Sequence, residues 1–194
     1  MTTDQGAGAS TSGLRGQSPD HDGIPLPESG AAPQPPLIIT AYGRPITQGS
    51  KVSNGARRGV RDANASTLKP WRSTMHEAVL DYMQRPGRTR LWERIDGPVR
   101  VELLFCFDRP ASHYGTGSNA SIVKDLAPRW PVSRGSGDID KLARAALDSL
   151  VTGGCLLDDS QVVELFARKV WVQDGLQNGL RIPGVRITVL DRDA

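Results

Sequence analysis

Residues Gly137 to Lys169, GDIDKLARAALDSLVTGGCLLDDSQVVELFARK, constrain the fold more than any other stretch of the chain. Leu142, Ala146 and Leu150 recur at helical spacing, with Ala145 and Ser149 at the edge of their stripe. That pattern predicts a helix from Asp140 to about Val151, stopped by Thr152-Gly153-Gly154. Asp140, Arg144 and Asp148 stand four residues apart in turn and so line one side of it. Leu156 and Leu157 are expected to return to the core, Asp158 and Asp159 to form a turn, and Gln161 to Trp171 a strand with Val163, Leu165 and Ala167 on one face.

Packed side by side, this helix and strand are expected to bring acids from two chain-distant points together. Converging carboxylates repel unless a cation sits between them. Asp138 and Asp140 are two residues apart, so an extended approach to the helix points both the same way. Adjacent aspartates diverge, so one of Asp158 and Asp159 would join them. Three carboxylates plus waters suit Mg²⁺, with Mn²⁺ as a substitute. Plainer readings exist: Asp140 as a helix cap, and the Asp158-Asp159 pair as turn formers. Capping accounts for one aspartate but not for the set. Arg144, one turn after Asp140, is placed to stabilise charge at phosphorus; its plain reading is an ion pair with Asp140 or Asp148 worth ~0.5 kcal/mol.

Elsewhere, residues 1–36 are rich in Gly, Ser, Thr and Pro and cannot bury enough surface to offset their ordering entropy, so a disordered tail is expected ahead of a domain over 37–194. Leu37–Tyr42 reads as a strand that runs into GRPITQGSK. Residues 51–69 read as a loop carrying Lys51, Arg57, Arg58 and Arg61, which are either solvated or set against a DNA backbone. From Pro70 to about Gln84 the stripe Trp71, Met75, Val79, Tyr82 predicts a helix, with His76 beside it as a structural residue. Val99–Phe107 alternates as a half-buried strand. Asp108–Gly137 is a long connection of the kind that carries function, although His113 and Tyr114 within it find no partner in the sequence. Gln173–Gly184 reads as a loop and Val185–Leu190 as a last strand. The expected architecture is α+β: one domain, a small mixed sheet of about four strands, two helices packed on it, and the last two strands paired antiparallel.

Composition narrows the function. The chain's net charge of +3 is uneven: residues 1–36 carry one base and four acids, a net of −3, which leaves +6 on the remainder. A basic body attracts a phosphate backbone while clustered aspartates hold a metal. No apolar run approaches the ~18 residues of a membrane span, and no signal peptide opens the chain. Cys106 and Cys155 lack metal or redox spacing and read as free thiols of a reducing cytosol.

With these residues set out, the chain resembles the RusA family of Holliday junction resolvases, and within it an actinobacterial or phage-like branch. The resemblance spans about residues 37–190. It rests on Asp138-Ile139-Asp140-Lys141-Leu142-Ala143-Arg144, on Asp148, on Asp158-Asp159-Ser160-Gln161-Val162-Val163-Glu164 and on Lys169, with GRPITQGSK as a further match. It implies a RusA-like fold and a Mg²⁺-dependent crossover junction endodeoxyribonuclease that resolves four-way DNA in recombination and repair. Asp138, Asp140 and Asp159 are implied as metal ligands and catalytic residues. Arg144 stands where the family's catalytic lysine is usual, and Lys141 where many members have asparagine. Arginine keeps the charge but stays protonated, so an electrostatic role survives and a proton-transfer role does not. Lys51, Lys141 and Lys169 are the expected DNA contacts. A homodimer in the cytoplasm of a bacterial or phage-infected cell is implied, since two symmetric nicks match a two-fold. The rival classes are a non-catalytic branched-DNA binding protein and a nuclease for flaps or other replication structures.

Overall fold

The computed structural model describes residues 35–49, 51–53, 60–62, 65–85, 96–172 and 179–192. The expected tail therefore lies outside the described residues but for Pro35 and Pro36, and so do Arg57 and Arg58. Six strands and two helices follow in the order β1 (Leu37–Tyr42), β2 (Lys51–Ser53), β3 (Val60–Asp62), α1 (Ala65–Gln84), β4 (Val99–Phe107), α2 (Ile139–Thr152), β5 (Val162–Trp171) and β6 (Gly184–Asp191). Four of the strands form one mixed sheet, ordered β1-β6-β4-β5. This is the α+β architecture that the patterns imply.

Three expectations need correction. The last two strands are not partners: β6 pairs antiparallel with β1 and with β4, and β5 pairs parallel with β4. Parallel neighbours need a long crossover, which α2 supplies, and the crossover leaves β4's other edge for β6. Residues 51–62 are not simply a loop. Strands β2 and β3 pair as an antiparallel hairpin, with Lys51 opposite Asp62 and Val52 opposite Arg61. Helix α1 starts at Ala65 rather than Pro70, so Pro70 stands inside it. As the sixth residue it lies past the first four N–H groups, so the helix forgoes one backbone bond there.

Alternation in β4 decides which side of the sheet is covered. Val99, Val101, Leu103, Phe105 and Phe107 are buried, together with Leu37, Ile39 and Ala41 of β1 and Val185, Ile187 and Val189 of β6. Both helices pack on that side: α1 contributes Leu68, Trp71, Met75 and Val79, and α2 contributes Leu142, Ala143, Ala145, Ala146 and Leu150. Each fully buried aliphatic stabilises the fold by roughly 1.5–3 kcal/mol relative to exposure. The helices meet closely at Gly153, where a Cβ would lie 2.4 Å from Val79 Cγ1. Leu156 is buried as expected, but Leu157 is 48% exposed and does not join the core.

Strand β5 is an edge of the sheet. In register with β4, its Leu165, Ala167, Lys169 and Trp171 lie on the helix side, and Glu164, Phe166, Arg168 and Val170 on the other. Helix α2 covers this edge incompletely, so Leu165 is 44% exposed, and Phe166 on the open face is 53% exposed.

Candidate active site

Strand direction gathers the chemistry. Both β1 and β4 run antiparallel to β6, and β5 runs parallel to β4, so the C-terminal ends of β1, β4 and β5 emerge at one end of the sheet. Helix α2 returns from the end of β4 to the start of β5 and therefore begins at that same end. Backbone N–H groups and the positive end of the helix dipole make such a place receptive to anions.

Asp138 occupies the N-cap position of α2 in extended conformation, yet its carboxylate accepts no capping bond. It accepts instead from Lys141 Nζ at 2.6 Å. That hydrogen bond and the charge of the ammonium hold the Asp138 carboxyl below the usual carboxylate range, and they raise Lys141 in turn. Asp140 is exposed in the first helical turn. The residue before the pair is fixed: Gly137 has φ +66°, and a Cβ there would come within 2.1 Å of Thr47 Cγ2. Only glycine fits both the left-handed backbone and the approach of Thr47.

The GRPITQGSK stretch builds the wall beside this point. Arg44 donates to the Gly135 carbonyl at 3.2 Å, and the Gln48 N–H donates to the Lys141 carbonyl at 3.2 Å. From β5, Lys169 Nζ donates to the Gly137 carbonyl at 2.7 Å and lies 3.3 Å from Ser136 Oγ. Burial pushes the Lys169 ammonium's pKa down. Lys169 is thus turned inward, holding the backbone that presents Asp138. Lys51 stands in β2, paired with β3.

The long connection 108–137 is tied down here. Trp171 Nε1 and Arg109 Nη1 both donate to the Pro128 carbonyl, at 3.0 Å each. The His113 ring meets Trp171 edge-on at 5.4 Å. Arg44, Phe107, Asp108, Ser136 and Trp171 line a cleft of about 340 Å³. Arg44 and Arg109 had drawn no notice in the sequence. Both stand at an Arg-Pro step just past a strand's C-terminal end, a signal that becomes legible once strand directions are known.

The third expected ligand lies elsewhere. Asp159 opens a 3₁₀ turn at the start of β5, facing a cleft of about 630 Å³ lined by Lys69, Arg72 and His76 of α1, Asp148 and Thr152 of α2, and Asp158. Its neighbour Asp158 is committed to structure: Oδ1 accepts from the Ser160 N–H at 2.9 Å, and Gln161 Oε1 accepts from the Leu157 N–H at 2.7 Å and the Asp158 N–H at 3.3 Å. Hydrogen bonds from the Ser160 side chain and backbone hold the Asp158 carboxyl below its usual range. Among the described residues Asp159 has no such engagement, so of the adjacent pair it is the one left available. Asp148 is bridged by Arg72, and His76 Nδ1 lies 3.3 Å from Thr152 Oγ1.

The expected convergence of Asp138, Asp140 and Asp159 therefore does not occur within one chain. Asp138 and Asp140 stand at the head of α2 and Asp159 beyond its tail, and a helix of 14 residues spans about 21 Å at 1.5 Å per residue. Helix and strand do pack side by side, but in opposite directions, so the head of α2 lies beside the tail of β5. Among the described residues no group of three acidic, histidine or cysteine side chains is placed to hold a metal ion. A divalent cation at the head of α2 would find two carboxylates from this chain, one fewer than expected.

Arg144 is exposed on the same side as Asp140, and among the described residues it forms no ion pair. The expected bridge to Asp148 is pre-empted by Arg72. Among the described residues no helix is long and apolar enough to cross a membrane. Both cysteines are buried free thiols, and burial pushes Cys155 up to about 12.

Among curated proteins no relative matches the chain. The family model described as "Endodeoxyribonuclease RusA" matches residues 50–187, which take in every element from β2 to β5 and the first half of β6. The chain belongs to the RusA endodeoxyribonuclease family.

Proposed function

We propose that this protein is a divalent-metal-dependent, structure-selective endodeoxyribonuclease that cuts four-way DNA junctions during recombination and repair. The observation that carries this reading is the presentation of Asp138 and Asp140 at the head of α2. Gly137 and Lys169 fix their backbone, Lys141 pairs with Asp138, and Arg44 donates to the nearby Gly135 carbonyl. Cationic side chains at one end of the sheet would bind the phosphates that flank a scissile bond. Arg144, permanently charged and exposed, would neutralise negative charge accumulating on phosphorus as the bond breaks. Mg²⁺, or Mn²⁺ in its place, is the cofactor that carboxylates of this kind would take, and Asp138, Asp140 and Asp159 are the residues proposed to hold it. Asp138 and Asp140 stand at the head of α2, and Asp159 stands beyond its tail. The functional unit is proposed as a homodimer in a reducing cytoplasm.

The wild-type protein, assayed on a synthetic four-way junction with Mg²⁺ or with EDTA, is expected to make paired nicks only with the metal. Asp140→Asn is expected to reduce nicking by ~100-fold or more while leaving the fold intact. Undiminished nicking by that variant refutes the assignment. One observation, the distance between the carboxylate pairs, favours a second reading: a junction-binding protein without catalysis. Retardation of the junction on a gel with no cutting in any metal identifies that protein. Comparing junction, flap and linear duplex separates a resolvase from a nuclease of other replication structures.

A further inference from the structure

The connection from β4 to α2 carries apolar side chains that the fold leaves in the open. Leu126 is 98% exposed, Val132 73% and Trp130 41%. One exposed leucine is ordinary on a folded surface. Three such side chains in one short stretch are not explained by packing, since none of them joins the core. Nor is the stretch slack. Ahead of it, Lys124 donates from its backbone N–H to the His113 carbonyl and from Nζ to the Ser112 carbonyl, at 2.9 Å each. The Ala127 N–H donates to the Lys124 carbonyl at 2.9 Å. In its middle, the Pro128 carbonyl accepts from Trp171 and Arg109. Beyond that, Pro131 is buried, and its carbonyl accepts from Ser136 Oγ at 2.7 Å. The backbone is held while these side chains stay exposed.

Charge says what kind of partner suits such a stretch. From Asp108 to Gly137 the connection sets Arg109, Lys124, Arg129 and Arg134 against Asp108 and Asp125, a net of +2. Arg129 and Arg134 are exposed. The Arg129 guanidinium lies 5.3 Å from the Trp130 ring centroid, so a cation and an aromatic surface come as one unit. Nucleic acid matches that mixture, because base faces are apolar and phosphates anionic. Stacking hides the base faces of a linear duplex, whereas a branch point interrupts the stack. Leucine is among the side chains that wedge base steps apart, and aromatic rings stack on the bases so freed. We propose that residues 126–132 form a wedge that enters the centre of a four-way junction. Leu126 and Trp130 meet base faces unstacked at the branch, and Arg129 and Arg134 bind the phosphates beside them.

Placement supports the wedge. Pro128 is tied to Trp171 at the C-terminal end of β5 and to Arg109 just past the end of β4. The wedge therefore stands at the end of the sheet where α2 begins, and it uses none of the carboxylates there. A device in that place discriminates branched from linear DNA before any bond is cut. Because its backbone is fixed before DNA arrives, little ordering entropy is lost on binding. A second copy of this chain suits the surface less well, since residues 37–194 carry a net positive charge of their own. The inference rests on the junction reading proposed above for the identity of the DNA, and the contact rests on this connection alone.

The test reads DNA structure without cleavage. A four-way junction carrying 2-aminopurine at the branch is titrated with the full chain in EDTA, beside a linear duplex with the same label. The wild type is expected to prefer the junction and to raise 2-aminopurine fluorescence as the base unstacks. The double variant Leu126→Ser, Trp130→Ser should lose that rise and bind the junction about tenfold more weakly or worse, with duplex binding and circular dichroism unchanged. Leu126→Met with Trp130→Phe should restore both readouts. If the double variant does not fold, Leu126→Ser alone carries the test, because that side chain packs on nothing in the core. A wild type that binds the junction without the rise, or a folded variant that keeps the full rise and preference, overturns the wedge and leaves the junction reading standing. So does a wild type that nicks the junction in Mg²⁺ yet shows no preference for it. A wild type that neither prefers nor nicks the junction defeats the junction reading, and the wedge with it. A dimer that dissociates on Leu126→Ser in sedimentation velocity assigns the surface to a second copy of this chain and overturns the wedge.

Discussion

The two ends of α2 carry similar numbers of acids and treat them differently. At the head, Asp138 is held by one lysine on a backbone locked by Gly137, and Asp140 is left open. At the tail, Asp148 is bridged by Arg72 and Asp158 caps a turn, so only Asp159 is uncommitted. Helix polarity reinforces the contrast, because the head carries partial positive charge and the tail partial negative charge. Counting acids along a sequence therefore overstates a site. What matters is which carboxylates already satisfy a structural need, and three of the five do.

The contrast can be broken most sharply at function. Asp159→Asn is expected to reduce junction nicking by ~100-fold or more with no change in melting temperature, whereas Asp158→Asn should leave nicking within a few-fold of wild type. Equal losses from both would erase the distinction drawn within the adjacent pair. Next in size, Leu142→Ala should lower unfolding free energy by about 2–5 kcal/mol in urea titrations, because α2 carries both ends on a buried stripe. Gly137→Ala should cost about 1–3 kcal/mol through the left-handed backbone and the Thr47 contact, and it should lower nicking beyond what the lost stability explains. Asp158→Ala should cost ~1 kcal/mol as a lost cap, with nicking preserved. The smallest effect is a titration. Asp138's lowered pKa means that its contribution to stability is present above the ordinary carboxylate pKa and is lost as pH falls through the folded value. Lys141→Gln should move the Asp138 carboxyl resonance midpoint upward in an NMR pH series, toward the ordinary range.

Local pattern carried much of the fold. The bounds of β1, β4 and α2 were legible within a residue or so because their apolar periods are uninterrupted, and the α2 stripe faces the core as its spacing implies. The hairpin β2–β3 was not legible, because two three-residue strands show no period against a polar, Gly-rich background. Pro70 misplaced the start of α1, since a proline in an early turn looks the same in sequence as one at the first position. Sheet order depends on pairings between distant strands. Nothing in β5 or β6 alone says that β4 lies between them. The site was half legible for the same reason. The residue types and the Asp138–Asp140 spacing are local, but where Asp159 falls depends on the direction in which α2 and β5 pack.

Pairing of β1 with β6 has a consequence for synthesis. Among the described residues, β1 finds its strand partner only in an element made last, and β6 must also enter between β1 and β4. Until β6 is made, the apolar strand Leu37–Tyr42 can pack on α1 but lacks its strand partner, and β4 has only one edge filled. A chain made only as far as β5 thus carries an incomplete sheet with exposed apolar edges, and β6 is the strand that joins its two parts.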